Sequence, residues 1–193
     1  LAADAALAVI EDGGNAVDAA VAASMASTNT QPGVCALAGG GYAVVWPPDD
    51  DPVTIDGYVE MPGRGLDPGV LGRGGIRVAM DYGGGLETVI GPGSVAVPGT
   101  PAALAEASRR YGRLPWAALM EPSIRAARAG FPLASACQHY LQYSGEIVFS
   151  RSPDSRAAIR DAEGRLLAAG ATVRVPHLAE SLELIAREGV RAF

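Results

Sequence analysis

Glu11-Asp12-Gly13-Gly14-Asn15-Ala16-Val17-Asp18-Ala19-Ala20-Val21-Ala22-Ala23 reads as one helix ending, a tight turn, and a second, nearly all-apolar helix beginning. Gly13 and Gly14 suit the left-handed backbone that closes a helix. Asn15 is a good N-cap. Asp18, three residues later, puts a carboxylate where the helix dipole favours negative charge. The Ala and Val that follow occupy every face, which predicts a helix buried all round, running to about Ser27. Leu1 to Glu11 forms the helix before the turn.

Downstream, Thr28 to Ala38 is turn-rich, with Pro32 and Gly33. Gly39-Gly40-Gly41 feeds a short strand, Tyr42 to Trp46, and the turn signal Pro47 to Pro52 returns the chain as Val53 to Asp56, a hairpin. Gly57 to Gly85 has no sustained period and reads as a long irregular segment, functional or mobile. Leu86 to Ile90 and Ser94 to Val97 are strand candidates. Thr100-Pro101 predicts an N-cap with proline at the first helical position, and Gly112 closes that helix. A further helical stretch from Leu114-Pro115 is broken or restarted at Pro122 and closed by Gly130. Leu133 to about Phe149 reads as a helix, Asp161 to Leu167 as a turn with a short extended piece. Leu178 to Glu188 is an amphipathic helix with Leu182, Leu184 and Ile185 near its apolar side. Strands and helices do not alternate, so the expected class is α+β with segregated layers.

The chain has 193 residues, 49% hydrophobic and 19% charged, which suits one globular domain over residues 1–193. A net charge of −6 argues against nucleic acid or an anionic membrane surface as partner. All fifteen basic residues are Arg, a usage that GC-rich coding explains. The longest apolar stretch, Ala16 to Ala26, is too short to insert across a membrane. With no initiator Met and no signal pattern, the chain reads as a trimmed piece of a longer protein, so its compartment is not legible; the cytoplasm is the default.

Several motifs invite chemistry and have plainer readings. Gly91-Pro92-Gly93-Ser94-Val95-Ala96 fits a dinucleotide fingerprint, but Pro98 and Gly99 lie where its helix should run; a glycine turn between strands is favoured. Gly39-Gly40-Gly41 lacks the Lys and Ser/Thr of a phosphate loop. It brings backbone close either to a substrate or another chain, or to its own packing neighbours. His139 and His177 have no nucleophile elbow beside them and read as surface or capping residues. Asp49-Asp50-Asp51 lacks the alternation of a calcium loop. Cys35 and Cys137 give no disulfide framework, and no zinc spacing is present. No metal and no cofactor are expected.

Taken in order, Gly13 to Ala22, Gly39-Gly40-Gly41-Tyr42, Val97-Pro98-Gly99-Thr100, Tyr111 to Trp116, Glu121-Pro122-Ser123-Ile124, Gly130-Phe131-Pro132-Leu133, Ile185 to Gly189 and Ala192-Phe193 resemble the large subunit of the γ-glutamyltransferase family. The resemblance runs from Leu1 to Phe193. It implies an N-terminal-nucleophile hydrolase with a four-layer αββα sandwich, completed by a small subunit cut from the same precursor. The small subunit's N-terminal Thr supplies nucleophile and base. No catalytic residue is therefore expected on this chain.

In that family an Arg in the frame Asp-x-Arg-Glu-x-x-Pro clamps the glutamyl α-carboxylate, as a planar guanidinium fork suits. The matching stretch here is Asp56-Gly57-Tyr58-Val59-Glu60-Met61-Pro62, with Tyr58 at the Arg position and Val59 at the Glu position. Tyr58, Val59, Glu60 and Arg64 become the candidate substrate-binding residues, Arg64 being the nearby cation that folding back would bring in. The resemblance then implies a small-molecule amide or acyl substrate in a pocket altered from glutamyl. Amidase branches such as oxamate amidohydrolase and cephalosporin acylase, and homologues in alkylproline antibiotic pathways that cleave a carbon–carbon bond, illustrate the range. The alternatives are true γ-glutamyl transfer or glutathione hydrolysis, and a non-catalytic scaffold of the same fold.

Overall fold

A computed structural model describes residues 1–193. Its helices are α1 (Ala2–Glu11), α2 (Ala16–Thr30), α3 (Thr100–Tyr111), α4 (Trp116–Ala129), α5 (Ser135–Ser144), α6 (Pro153–Ala158) and α7 (Leu178–Glu188). Two antiparallel hairpins accompany them: β1 (Gly41–Val45) with β2 (Val53–Gly57), and β3 (Ile76–Met80) with β4 (Leu86–Ile90). Helices and hairpins are segregated, so the class is α+β as the sequence implied. Contacts gather the chain into two compact units. One comprises Leu1–Val59, Pro98–Phe131 and Arg174–Phe193; the other comprises Glu60–Val97 and Pro132–Val173.

In the first unit, the opening turn closes as its residues dictate. Gly13 has φ +89°, Gly14 does not need the left-handed region, and Asn15 is the N-cap of α2. The Asn15 side chain accepts from the Val17 and Asp18 amides, and Asp18 Oδ2 accepts from the Asn15 amide at 2.9 Å, a reciprocal capping box. The same two side chains reach across the chain. The Arg113 amide donates to both Asp18 oxygens at 3.1 and 2.9 Å, and Asn15 Nδ2 donates to the Tyr111 carbonyl at 2.7 Å. The end of α3 is thereby clasped to the start of α2, and the Asp18 carboxylate is fully buried with partners on both oxygens.

α2 is not buried all round. Ala16 and Ala20 face solvent, while Val21, Ala22, Met25 and Ala26 enter a core with Leu104, Leu119, Met120, Ile124, Leu182 and Ile185. Small alanines let neighbouring helices approach on some sides without requiring cover on the rest. Where α2 meets α4, Asn29 Nδ2 donates to the Met25 carbonyl and to Ser123 Oγ, and Ser123 Oγ donates back to the Met25 carbonyl. Every buried polar group in that crossing has a partner, which removes the cost of burying it. α4 runs unbroken through Pro122, because Leu119, Met120, Ser123 and Ile124 are buried and their packing outweighs one missing amide. α7 docks on α4 with Leu182 and Ile185 buried, while Leu184, expected near that side, is exposed; Trp116 Nε1 donates to the Ile185 carbonyl and an Arg128–Glu183 ion pair lies alongside.

Thr100 is not the N-cap of α3; Gly99 is. The amides of Gly99 and Thr100 both donate to the Gly39 carbonyl, at 3.1 and 3.2 Å, so a backbone group from the triple glycine ties down the helix start.

In the second unit, the segment expected to be irregular contains β3, which forms by pairing with β4 in the register Ile76 to Ile90 through Met80 to Leu86. Gly91 leads into a single 3-10 turn, Pro92–Ser94, and the next α-helix begins only at Thr100. A Cβ on Gly93 would overlap the backbone of Gly72 and Gly75, so these glycines serve close packing. The strand expected at Ser94 to Val97 shrinks to a bridge, Val97 to Glu60. The helix expected from Leu133 to Phe149 is the shorter α5, since Leu133 instead bonds through its amide and carbonyl to Ala171 and Gly170. Arg160 and Leu166 form the short extended pair expected there. Met80, Ile90, Leu133, Cys137, Leu141, Ile159 and Val173 are buried.

A candidate acyl-binding hairpin

In β1–β2 the pairs run Gly41 to Gly57, Tyr42 to Asp56, Ala43 to Ile55, Val44 to Thr54 and Val45 to Val53. Alternation sends Ala43, Val45, Val53, Ile55 and Gly57 inward. It sends Tyr42, Val44, Trp46, Thr54, Asp56 and Tyr58 outward, where all are exposed. The outward face is mostly apolar, and its one charged group is the Asp56 carboxylate.

Three glycines fix the backbone beneath that face. A Cβ on Gly40 would come within 2.5 Å of the Val59 nitrogen and 2.9 Å of the Tyr58 carbonyl carbon. A Cβ on Gly57 would meet the Gly99 carbonyl oxygen at 2.8 Å and overlap Ala103, and one on Gly99 would overlap Gly57. The hairpin end, the glycine run and the start of α3 therefore pack backbone to backbone. Of the two readings of Gly39-Gly40-Gly41, close packing at the strand entrance is what Gly39 and Gly40 do.

On this base the Asp56 carboxylate accepts the Tyr58 amide at 2.9 Å, turning the chain just after β2. Tyr58 is 56% exposed and Tyr42 61% exposed. Their rings stack, with centroids 5.6 Å apart and planes within 5°. Tyr42 sits diagonally from Tyr58 across the pair, within reach for aromatic side chains. The sequence reading passed over Tyr42 as a site residue; the hairpin register is the signal that could have found it. Val59, next along, is half-buried.

Glu60 and Arg64 belong to the second unit. Arg64 Nη2 donates to Glu60 Oε2 at 3.0 Å, and both side chains are exposed. They border a depression of about 320 Å³ with Met61, Pro62, Gly63 and Leu71. The structure places the four candidates in two separate local groups, Tyr58 and Val59 with Tyr42 in the first unit, and Glu60 with Arg64 in the second.

The remaining motifs take their plain readings. His139 is exposed and edge-on to Tyr143, and His177 is the exposed N-cap of α7. Asp49-Asp50-Asp51 is an exposed turn, and neither cysteine is in a disulfide. No three His, Cys, Asp or Glu side chains cluster as a metal site would need, and no helix is long and apolar enough to cross a membrane.

A family model described as Gamma-glutamyltranspeptidase matches residues 2–193. The Bacillus subtilis (strain 168) glutathione hydrolase proenzyme is 32% identical over 189 residues, 96% of this chain and 30% of that protein. The acylase ACY 1 proenzyme of Pseudomonas sp. (strain SE83) is 33% identical over 186 residues, 92% of this chain and 31% of that protein. The crystal structure of Helicobacter pylori gamma-glutamyltranspeptidase matches with a TM-score of 0.80 and 25% identity, over 100% of this chain and 53% of that one. The chain spans less than a third of the length of these curated relatives.

Proposed function

This chain belongs to the gamma-glutamyltranspeptidase family of N-terminal-nucleophile hydrolases, and from that premise we propose that it is the large-subunit part of an enzyme cleaving amide or related acyl bonds, with an acyl pocket altered from glutamyl. The nucleophile is a Thr at the N-terminus of a small subunit cut from the same precursor. Its hydroxyl adds to the acyl carbonyl while its own α-amine takes the hydroxyl proton. The bond to the leaving nitrogen then breaks, the amine departs with that proton, and water transfers its hydroxide to the acyl carbon and its proton back to the Thr. This chain binds the acyl group and supplies no reacting atom.

The observation that carries the altered pocket is Tyr58. It stands in the Asp56 to Pro62 frame where the family's carboxylate-clamping Arg is expected, and it lies on a face whose only charge is negative. A guanidinium paired with a carboxylate away from water is worth about 2–5 kcal/mol when one partner is removed. Tyr58 gives back at most one neutral hydrogen bond, worth about 0.5–1.5 kcal/mol. Arg64, already held by Glu60, is the weaker claimant to the missing charge. The exposed Val44 and Trp46, toward the loop end of the hairpin and away from Tyr58, favour a partner chain over that part of the face.

A second reading, γ-glutamyl transfer or glutathione hydrolysis, draws support from the glutathione hydrolase names among the relatives. The two-chain protein incubated with a γ-glutamyl anilide separates them. Slow turnover that rises when Tyr58→Arg is introduced supports the altered pocket. Fast turnover by the wild type, unchanged or reduced in Tyr58→Arg, overturns it.

A further inference from the structure

We infer that Tyr42 and Tyr58 together form a stacking ledge for a neutral acyl group that carries a flat aromatic ring, which makes aryl-bearing amides such as arylacetamides, rather than γ-glutamyl amides, the substrate class. The inference rests on the reading that Tyr58 lines the acyl site, and it adds Tyr42 as a second specificity residue.

The ring pair is already in a stacked arrangement, 5.6 Å between centroids and 5° between planes, inside the range over which aromatic pairs attract. Both rings are more than half exposed, so the pair offers open aromatic surface rather than a filled core position. A third flat group continues such a stack without rearranging it. The backbone under the rings does not yield, because Gly40 and Gly99 leave no room against Tyr58 and Val59. A ledge whose geometry is set before binding loses little side-chain freedom when the ligand arrives.

Charge points the same way. The outward face of β1–β2 carries Tyr42, Val44, Trp46, Thr54, Asp56 and Tyr58, hence one carboxylate and no cation. A glutamyl α-carboxylate brought onto it finds no counter-ion and a like charge. A neutral acyl group meets neither obstacle. Shape separates the remaining neutral candidates, since an aliphatic chain gains only apolar contact from a ring pair, whereas an aromatic ring gains contact and stacking.

The test measures ammonia release by the complete two-chain protein from phenylacetamide, butyramide and L-glutamine, in wild type, Tyr42→Leu and Tyr42→Phe. In the wild type, kcat/KM for phenylacetamide is expected to exceed that for L-glutamine by about ten-fold or more, since a site without the charge partner rejects the charged analogue. Tyr42→Leu is expected to lower the phenylacetamide value by about three- to ten-fold, the size of one stacking interaction, and the butyramide value by clearly less. Tyr42→Phe keeps the ring and is expected to keep the preference. A preference for L-glutamine, or a fall in Tyr42→Leu that is equal across all three amides, overturns the ledge while leaving an acyl-cleaving enzyme in place. The equal fall would make the ring pair an interface element for the partner chain. No ammonia from any amide, with both chains present and folded, refutes the amidase reading on which the ledge depends.

Discussion

Replacing Asp18 tests whether the opening turn holds the helical layer together or merely caps one helix. Its carboxylate is fully buried and accepts the amides of Asn15 and Arg113, the latter 95 residues away. Hydrogen bonds to a charged group contribute about 1.5–3 kcal/mol each, so Asp18→Ala removes about 3–6 kcal/mol of gross interaction. Two effects reduce that loss. Both amides are only half-buried and regain some water, and Ala is the better helix former. The expected net destabilisation is about 3 kcal/mol, where a lone N-cap interaction would cost about 1 kcal/mol. Gly112→Ala should perturb the same clasp, because its Cβ would lie 2.6 Å from Asp18 Oδ1 and 2.6 Å from the Ser108 carbonyl. Removing Asp18 relieves the first clash, so the double mutant should be less destabilised than the sum by about 1 kcal/mol. Urea unfolding of the complete protein by circular dichroism gives the stabilities, and amide exchange at Arg113 reports the long-range bond directly. A cost below about 1 kcal/mol for Asp18→Ala, or unchanged exchange at Arg113, would refute the clasp and leave only the cap.

Two further substitutions probe other constraints. Gly57→Ala drives a methyl into Ala103 and the Gly99 carbonyl, both poorly able to retreat, and should cost about 2–3 kcal/mol in the same unfolding assay; near-wild-type stability would mean that the hairpin and α3 slide apart freely. His177 is the only non-glycine residue at positive φ, +60°, and its side chain makes no capping bond, so His177→Gly should raise stability by about 0.5–1 kcal/mol, read as a shift in the urea midpoint; a loss would mean that the imidazole has a role beyond starting α7.

What was legible in the sequence was what local chemistry decides. The capping box needs only Asn15 and Asp18 three residues apart, and the amphipathic pattern of α7 needs only its own spacing. The tertiary halves of the same features were not legible. Nothing near Asp18 announces Arg113 as its donor, and nothing near Thr100 announces that the Gly39 carbonyl will take the amides at the start of α3. Pro122 reads as a breaker because the propensity rule is local, while the burial of Leu119, Met120 and Ile124 that overrides it is not. β3 was hidden for a related reason. Ile76 to Met80 is bracketed by glycines, has only one fully buried side chain and exists as a strand because β4 pairs with it. At the candidate site, the frame from Asp56 to Pro62 exposed Tyr58 to sequence reasoning. Its companion Tyr42 depended on the register across Pro47 to Pro52, which the loop length alone leaves open.

The backbone around Tyr58 also makes the exchange of an Arg for a Tyr there interpretable as chemistry rather than as rearrangement. Gly57 and Gly99 approach each other, and Gly40 approaches Tyr58 and Val59, so closely that no Cβ fits at any of the three, and the Asp56 carboxylate pins the Tyr58 amide. A side chain at position 58 therefore leaves a fixed point in a fixed direction, whatever its identity. Because Tyr58 is more than half exposed, replacing it by Arg disturbs no core contact, and the cost to folding should stay within about 0.5 kcal/mol. Any change in acyl preference that follows Tyr58→Arg is then attributable to the charge gained and the ring lost. The ring lost also unstacks Tyr42, so the two specificity residues should be coupled: Tyr42→Leu should matter less in the Tyr58→Arg background than in the wild type. Equal effects of Tyr42→Leu in both backgrounds would mean that the two rings act separately and that the stack has no part in choosing the substrate.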